Sequence, residues 1–490
     1  MNRTILRRAS VLAAVLAIQA ATACSPRAPE AQAALSARIE RVEQGLLPGL
    51  VIAGRPIPQK ALADRMAAFL VPGVSVAVIN DGAVEWAKGY GVAEAGSSTA
   101  VTPRTLFQAA SISKSVAALA ALRLVEQGKL ALDEDVNVRL RSWKVPENEF
   151  TKTEKVTLRR LLSHTAGLTV HGFGGYPADA AVPTVVELLD GTKPANSAPV
   201  RVDVVPGSVW RYSGGGFTVM QQLLVDVSGK PFPVLLEELV LKPVGMTDST
   251  YEQPLPAGRR DAAASGHRSD GGLIPGRYHT YPEMAAAGLW TTPTDLARFL
   301  IEVRKALGGR SGVLTADSAK IMTARIKGSY GLGLSLQGSG PAATFGHGGS
   351  NEGFRCQMTA FIESGRGAVV MTNGDKGGWL GMEVLRSIFR EYGWPGFQPQ
   401  ERTVVAVDPA LLAPLAGRYE LRPGRTLDVV LESGTLFVID GEEKVELYPE
   451  SATRFFELVE EHTITFVKGA DGKDIHIVID GQLKAPRIAG

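Results

Sequence analysis

Apolar residues recur along this chain at two spacings, and the changes of spacing mark its parts. From Gly73 to Trp86 the chain alternates into Asn80-Asp81-Gly82 and back out, the mark of a hairpin with a turn that needs positive φ. An alanine-rich amphipathic run over 115–127 follows, with Gly128 as its stop, and Thr157 caps a run over 158–164 that breaks at Gly167. Helical spacing returns over 58–69, 217–227, 233–241 and 294–307, the last behind a Thr-Pro-Thr start. Residues 330–334, 344–347 and 368–373 read as strands, and 381–392 as a closing helix. Strands at both ends of this region with helices between them predict an α+β fold rather than a doubly wound parallel sheet.

Two stretches break the pattern. Residues 169–206 hold five prolines and several glycines, with order expected only over 185–189. An excursion of that length inside a compact domain is expected to be a lid or a binding wall. From Gln398 the chain turns into short strands punctuated by Ser433-Gly434, Asp440-Gly441, Asp471-Gly472 and Asp480-Gly481, which predicts a separate small β domain, a barrel or a sandwich.

At 490 residues the chain exceeds one ordinary domain, so two are expected. The first residues run from Arg3, Arg7 and Arg8 through an apolar segment over 11–21 to Ala21-Thr22-Ala23-Cys24, the order of an export signal over 1–23. That segment is too short to span a membrane as a mature helix. Loss of 1–23 removes three arginines and no acid, taking the formal charge from +2 to −1. A nearly neutral mature chain without basic blocks gives no footprint for nucleic acid. Residues 24–56, rich in Ala, Pro and Arg, read as a tether, followed by a main domain over 57–397 and the β domain over 398–490. The seven histidines show no metal-ligand spacing, so no metal and no cofactor are expected. Cys356 reads as a buried, inert thiol.

The chemistry centres on Ser111-Ile112-Ser113-Lys114, the one Ser-x-x-Lys in the chain. Three residues apart on a helix, the hydroxyl and the amine stack on one face, where the amine can take the serine proton. At the head of a helix, Ser111 would also lie among unpaired N–H groups able to hold an oxyanion. Ser163 and His164 are adjacent and do not face each other on a helix, so they read as a structural turn. Trp210 and Trp290 read as core or pocket wall. No Gly-x-Ser-x-Gly supports an α/β-hydrolase.

Five further stretches follow Ser111 in order: 161–168 (Leu-Leu-Ser-His-Thr-Ala-Gly-Leu), 206–214 (Pro-Gly-Ser-Val-Trp-Arg-Tyr-Ser-Gly), 244–250, 288–298 and 346–350 (Gly-His-Gly-Gly-Ser). With them the chain resembles the serine β-lactamase and penicillin-binding-protein-like hydrolases over roughly 60–395, most of all the class C β-lactamase, D-amino-acid peptidase and family VIII esterase branch. The resemblance implies a β-lactamase/transpeptidase-like fold. It makes Ser111 the nucleophile, Lys114 its activating amine and Tyr212 the partner phenol, which can take the serine proton and return it to the leaving group. Which of Lys114 and Tyr212 is the base stays open. His347, Gly348 and Gly349 match the family's Lys-Thr-Gly substrate-binding strand, with the N–H groups of Ser111 and Ser350 as the oxyanion hole. Gly214 stands where the family's Asn binds a substrate amide, and His347 where its Lys attracts a carboxylate. Both departures weaken β-lactam recognition and leave hydrolysis intact. An imidazole titrating near its ordinary pH 6.5 predicts carboxylate recognition that fades above neutrality.

The C-terminal β domain, opening at Leu415-Ala416-Gly417-Arg418-Tyr419, resembles a lipocalin-like appendage. The expected protein is an exported, periplasmic serine hydrolase acting through an acyl-enzyme on small esters or (D-)peptides ahead of β-lactams. A lipid anchor at Cys24 is the expected alternative to a soluble form. The rival readings are a β-lactamase or peptidoglycan D-Ala carboxypeptidase, and a non-catalytic envelope protein that binds peptidoglycan.

Overall fold

The computed structural model describes residues 27–441, 443–469 and 475–488. The 1–23 segment, Cys24 and Asp471-Gly472 lie outside the described residues. Residues from Val42 onward pack as one compact unit that holds both the sheet domain and the β domain.

The central sheet has six antiparallel strands in the order Ala83–Gly91, Gly73–Asn80, Gly367–Thr372, Phe354–Phe361, Thr344–Asn351, Ser335–Gln337. Two strands come from before the serine segment and four from far beyond it, with helices between, which is the α+β order expected. Asp81 and Gly82 both take positive φ (50° and 75°), so the first hairpin closes with a two-residue turn whose twist matches its strands. Side chains alternate across the pleat. Val369 and Met371 join the core that includes Leu296, Phe299 and Leu300 of helix Pro293–Leu307, whereas Val370 faces Gly381 of helix Gly377–Glu391. Thr292 caps the first of these helices through its hydroxyl and Pro293 stands at its first position.

Helix Ser113–Glu126 runs through the middle of this core with eleven buried residues, so it is covered on nearly every side rather than amphipathic with one face to solvent. Its alanines let neighbours approach closely. A Cβ on Gly333 would stand 2.5 Å from Ala118 Cβ, Gly333 holds a φ of 74°, and Ser115 Oγ donates to Gly333 O at 2.6 Å. That docking explains why 330–334 is not the strand its alternation suggested, and why the strand begins at Ser335.

The expected tether carries regular structure. Helix Arg27–Gln44 has 18 residues, and Leu50–Ile52 pairs in parallel with Gln400–Arg402. The C-terminal domain is a closed eight-stranded antiparallel barrel, Gly417–Arg422 joining Leu483–Ile488 to seal it. Ser433-Gly434 and Asp480-Gly481 both have two positive φ values and make its tight hairpins. Its core is packed around Tyr419, Phe455 and Phe466, with Tyr419 Oη donating to Leu415 O at 2.7 Å.

Candidate active site

Ser111 sits on a strained turn. The chain leaves the short strand Phe107–Gln108, Ala110 takes a φ of 50°, and a single 3-10 turn, Ala110–Ile112, leads into helix Ser113–Glu126. A non-glycine residue in the left-handed region costs about 1–2 kcal/mol. Ser113 holds it there: its hydroxyl donates to Ala110 O at 2.5 Å and accepts from Leu289 N at 3.0 Å, and Tyr251 Oη donates to Ser113 O at 2.6 Å. Lys114 is buried in the first turn of the helix. Its Nζ donates to Ser111 Oγ at 3.0 Å and to Ala286 O at 2.7 Å, and lies 5.1 Å from the centre of the Tyr212 ring.

Tyr212 immediately precedes Ser213, whose hydroxyl caps helix Gly214–Ser228 by accepting from Gly216 N at 2.9 Å. His164 brackets the tyrosine. Its carbonyl accepts from Arg211 N at 2.9 Å, its Nδ1 accepts from Ser213 N at 3.1 Å, and its ring centre lies 4.1 Å from that of Tyr212. A backbone N–H only donates, so the ring proton is on Nε2, which is buried without a partner among the described residues. Burial, and then the charge of Lys114, hold this imidazole well below its ordinary pKa, so it packs as a neutral ring. The pair Ser163 and His164 thus serves structure, with Ser163 Oγ paired to Thr165 Oγ1 at 2.9 Å.

The opposite wall is strand Thr344–Asn351. Its short neighbour covers only Thr344, Phe345 and Gly346, and Leu336 gives its N–H to Ser329 O, so the ladder bonds run through Thr344 and Gly346. Peptide groups alternate along a strand, so those of Gly348 and Ser350 turn to the same edge, where no strand continues. This edge lies against the serine turn. A Cβ on Gly349 would stand 2.2 Å from Ala109 O, so only glycine permits the approach.

His347 departs from its sequence expectation. Its Nδ1 lies 2.6 Å from Gly348 O and its Nε2 2.9 Å from Tyr330 Oη. The carbonyl accepts only, so Nδ1 carries the proton and Nε2 accepts from the phenol. Burial, then Lys114, lower its pKa to about 4, and the ring is neutral throughout the range where carboxylate recognition was expected to fade. Gly214 is also displaced from its expected role. A Cβ there would meet the Phe173 ring at 3.0 Å and His171 O at 3.1 Å, so the segment 171–173 occupies the room a longer side chain would need, and Gly214 does not line the cleft.

The cleft, about 510 Å³, is lined by Ser111, Lys114, Tyr212, His171, Phe173, His347, Gly348, Gly349, Ser350, Arg355 and Gln357 among others. His171 packs against Tyr212 with ring centres 4.9 Å apart and planes tilted by 43°, so the start of the long excursion is a cleft wall. Trp290 is fully buried, whereas Trp210 is 42% exposed at the edge of the Tyr212 and Tyr330 rings. Sequence reading missed Arg355 and Gln357, although Phe354-Arg355-Cys356-Gln357-Met358-Thr359 alternates apolar and polar as a half-buried strand does. It also missed Glu283, fully buried with neither carboxylate oxygen partnered among the described residues. Burial raises its pKa to about 8. Glu283 begins the short helix Met284–Ala287 whose carbonyls hold Lys114 and Asn351 Nδ2. Cys356 is buried and its pKa is pushed up to about 12, which makes the thiol inert.

A serine bonded to a buried lysine at the head of a core helix, facing an open sheet edge on an antiparallel α+β scaffold, defines a serine hydrolase. The Beta-lactamase family model matches residues 59–409, and the chain belongs to that family. Penicillin-binding protein 4 of Amycolatopsis lactamdurans is 27% identical over 378 residues, 72% of this chain and 94% of that protein. Esterase EstB of Burkholderia gladioli is 28% identical over 310 residues, 57% of this chain and 75% of the esterase. Among solved structures, the octameric penicillin-binding protein homologue from Pyrococcus abyssi superposes with a TM-score of 0.61 at 21% identity, covering 87% of this chain and 98% of that one. The D-amino acid amidase from Ochrobactrum anthropi gives 0.55 at 22% identity, covering 68% and 98%. These two likenesses establish the fold.

Proposed function

We propose that the protein hydrolyses esters or (D-)peptide amides through an acyl-enzyme on Ser111, in preference to β-lactams. The observation that carries this reading is the 3.0 Å contact between Lys114 Nζ and Ser111 Oγ inside the cleft. Ser111 Oγ attacks the substrate carbonyl carbon while Lys114 or Tyr212 takes its proton. The N–H groups of Ser111 and Ser350 receive the oxyanion, and the proton passes to the departing alcohol or amine. Water then attacks the acyl-enzyme by the same route in reverse.

The preference for neutral substrates rests on charge. Binding a substrate carboxylate in a dry cleft calls for a permanent cation. His347 is neutral, Lys114 is engaged by Ser111 and Ala286, and Arg355 is tied to Asp375 at 2.9 Å. Arg355 is the single observation that favours the carboxypeptidase or β-lactamase reading, since it is a guanidinium on the cleft wall. Measuring kcat/KM for p-nitrophenyl acetate, a D-alanine anilide and a chromogenic cephalosporin at pH 7.5 separates them. The ester or the anilide should exceed the cephalosporin by roughly tenfold or more, the scale of one lost charge-assisted hydrogen bond. A cephalosporin hydrolysed as well as either one overturns the preference.

A further inference from the structure

The barrel holds a second cavity, about 890 Å³, between its open end and the sheet domain. Its inner wall is apolar: Leu421, Leu427, Val438, Val445, Ile464 and Ile479 point inward from successive strands. Tyr419 and Phe455 pair across the ladder with Leu427 and Ile464, so the aromatic core of the barrel lies next to this wall. Val459 and Leu483 also line the cavity, 50% and 45% exposed, and extend the apolar surface to its mouth.

Several charges around the mouth are paired. Arg425 pairs with Asp440 at 2.8 Å, His462 with Asp480 at 2.7 Å and with Glu460 at 3.3 Å, and Arg355 with Asp375 at 2.9 Å. The hydrogen bond to Glu460, ahead of that to Asp480, keeps His462 protonated to about pH 9, so its pairs persist at neutral pH. Lys376, Glu443 and Glu457 line the same mouth, so the rim is polar and charged while the interior is apolar, an arrangement that takes an apolar chain inside and leaves polar groups outside.

The cavity adjoins the cleft. Arg355 lines both, and Gly378 on the cleft side is followed directly by Trp379 on the barrel side. We propose that the barrel is a substrate subsite: an ester or amide reacting at Ser111 lays an extended apolar arm past Arg355 and Trp379 into the barrel. This rests on the hydrolase reading above and adds a length and hydrophobicity preference to it. A short substrate such as an acetate ester cannot reach the barrel and is hydrolysed without it.

The test uses the full chain and two ester series, p-nitrophenyl acetate to decanoate and acetates of alcohols of two to ten carbons. Each fully buried methylene is worth roughly fourfold, so partial burial over six methylenes predicts kcat/KM rising on the order of tenfold or more along one series. Val438→Trp, which fills the cavity, and the exposed-rim changes Val459→Asp and Leu483→Asp, which leave the barrel core untouched, should each abolish that rise while acetate hydrolysis stays at the wild-type level. The rim pair keeps the test open if Val438→Trp fails to fold. A chain-length preference that survives these changes, or no preference in either series, overturns the subsite while leaving the hydrolase assignment standing. Absence of acetate hydrolysis in the wild-type chain would instead overturn the underlying reading.

Discussion

Lys114 reaches Ser111 at 3.0 Å because the 3-10 turn that carries the serine runs straight into the helix whose first turn carries the lysine, and Tyr212 is held beside them by a residue that touches no substrate. Lys114→Ala and Tyr212→Phe should each slow ester hydrolysis by about 10² or more, the usual scale for losing a general acid or base. His164→Ala removes the ring behind Tyr212 and the acceptor for Ser213 N, so it should lower kcat more than it raises KM, with the fold retained by circular dichroism. Unchanged kcat in that variant would show that Tyr212 is positioned without it. His347 gives a pH prediction with a definite sign. Its folded pKa of about 4 lies below the ordinary 6.5, so between these values the unfolded chain binds a proton that the folded chain refuses. The contribution to stability is complete above pH 6.5 and is lost as the pH falls toward 4. His347→Gln should therefore shrink the difference in urea midpoint between pH 5 and pH 7, and should leave the neutral-ester profile from pH 5.5 to 9 unaltered in shape. Ser111, Lys114 and Tyr212 were legible in the sequence because their neighbours recur in a fixed order. The neutrality of His347 was not, since it depends on Tyr330 and on burial that no local pattern encodes.

At the scale of elements, the short helix Met284–Ala287 carries the carbonyl that anchors Lys114, and it begins at a buried, unpartnered carboxyl. The folded pKa of Glu283, about 8, lies above its ordinary 4.5, so the folded chain keeps a proton that the unfolded chain releases. Stability from this group is complete below pH 4.5 and is lost as the pH rises through 8. Glu283→Gln should make the thermal midpoint less dependent on pH between 5 and 8.5, with the larger gain at the alkaline end; an unaltered dependence would mean the carboxyl finds water. Hairpin and capped elements were read correctly because their turns and caps are local, as at Asp81-Gly82, Thr157 and Thr292. The stretch 330–334 was misread because Gly333 answers to Ala118 across the core, whereas Phe354–Phe361 was overlooked although its first six residues alternate apolar and polar.

For the whole molecule, the boundary near 397 is crossed by a strand pair. Leu50–Ile52 pairs with Gln400–Arg402, and Leu50 and Ile52 pack with Phe456 of the barrel. A fragment ending at 395 but retaining 42–56 would leave that apolar strand unpaired, an aggregation hazard. The fragment 57–395 should be soluble and hydrolyse p-nitrophenyl acetate, whereas 42–395 should precipitate; equal solubility would mean the pairing contributes nothing. The signal over 1–23 and the lipid anchor at Cys24 remain proposals. Cys24→Ala should release the exported protein from membranes, and a wild-type protein found wholly in a salt-washed soluble fraction would contradict the anchor.

The central claim is that Ser111 is the nucleophile. Intact mass after treatment with a fluorophosphonate should show one adduct per chain, mapped by peptide digestion to Ser111, and Ser111→Ala should take up none. An adduct on another serine, or full labelling of Ser111→Ala, would contradict the account.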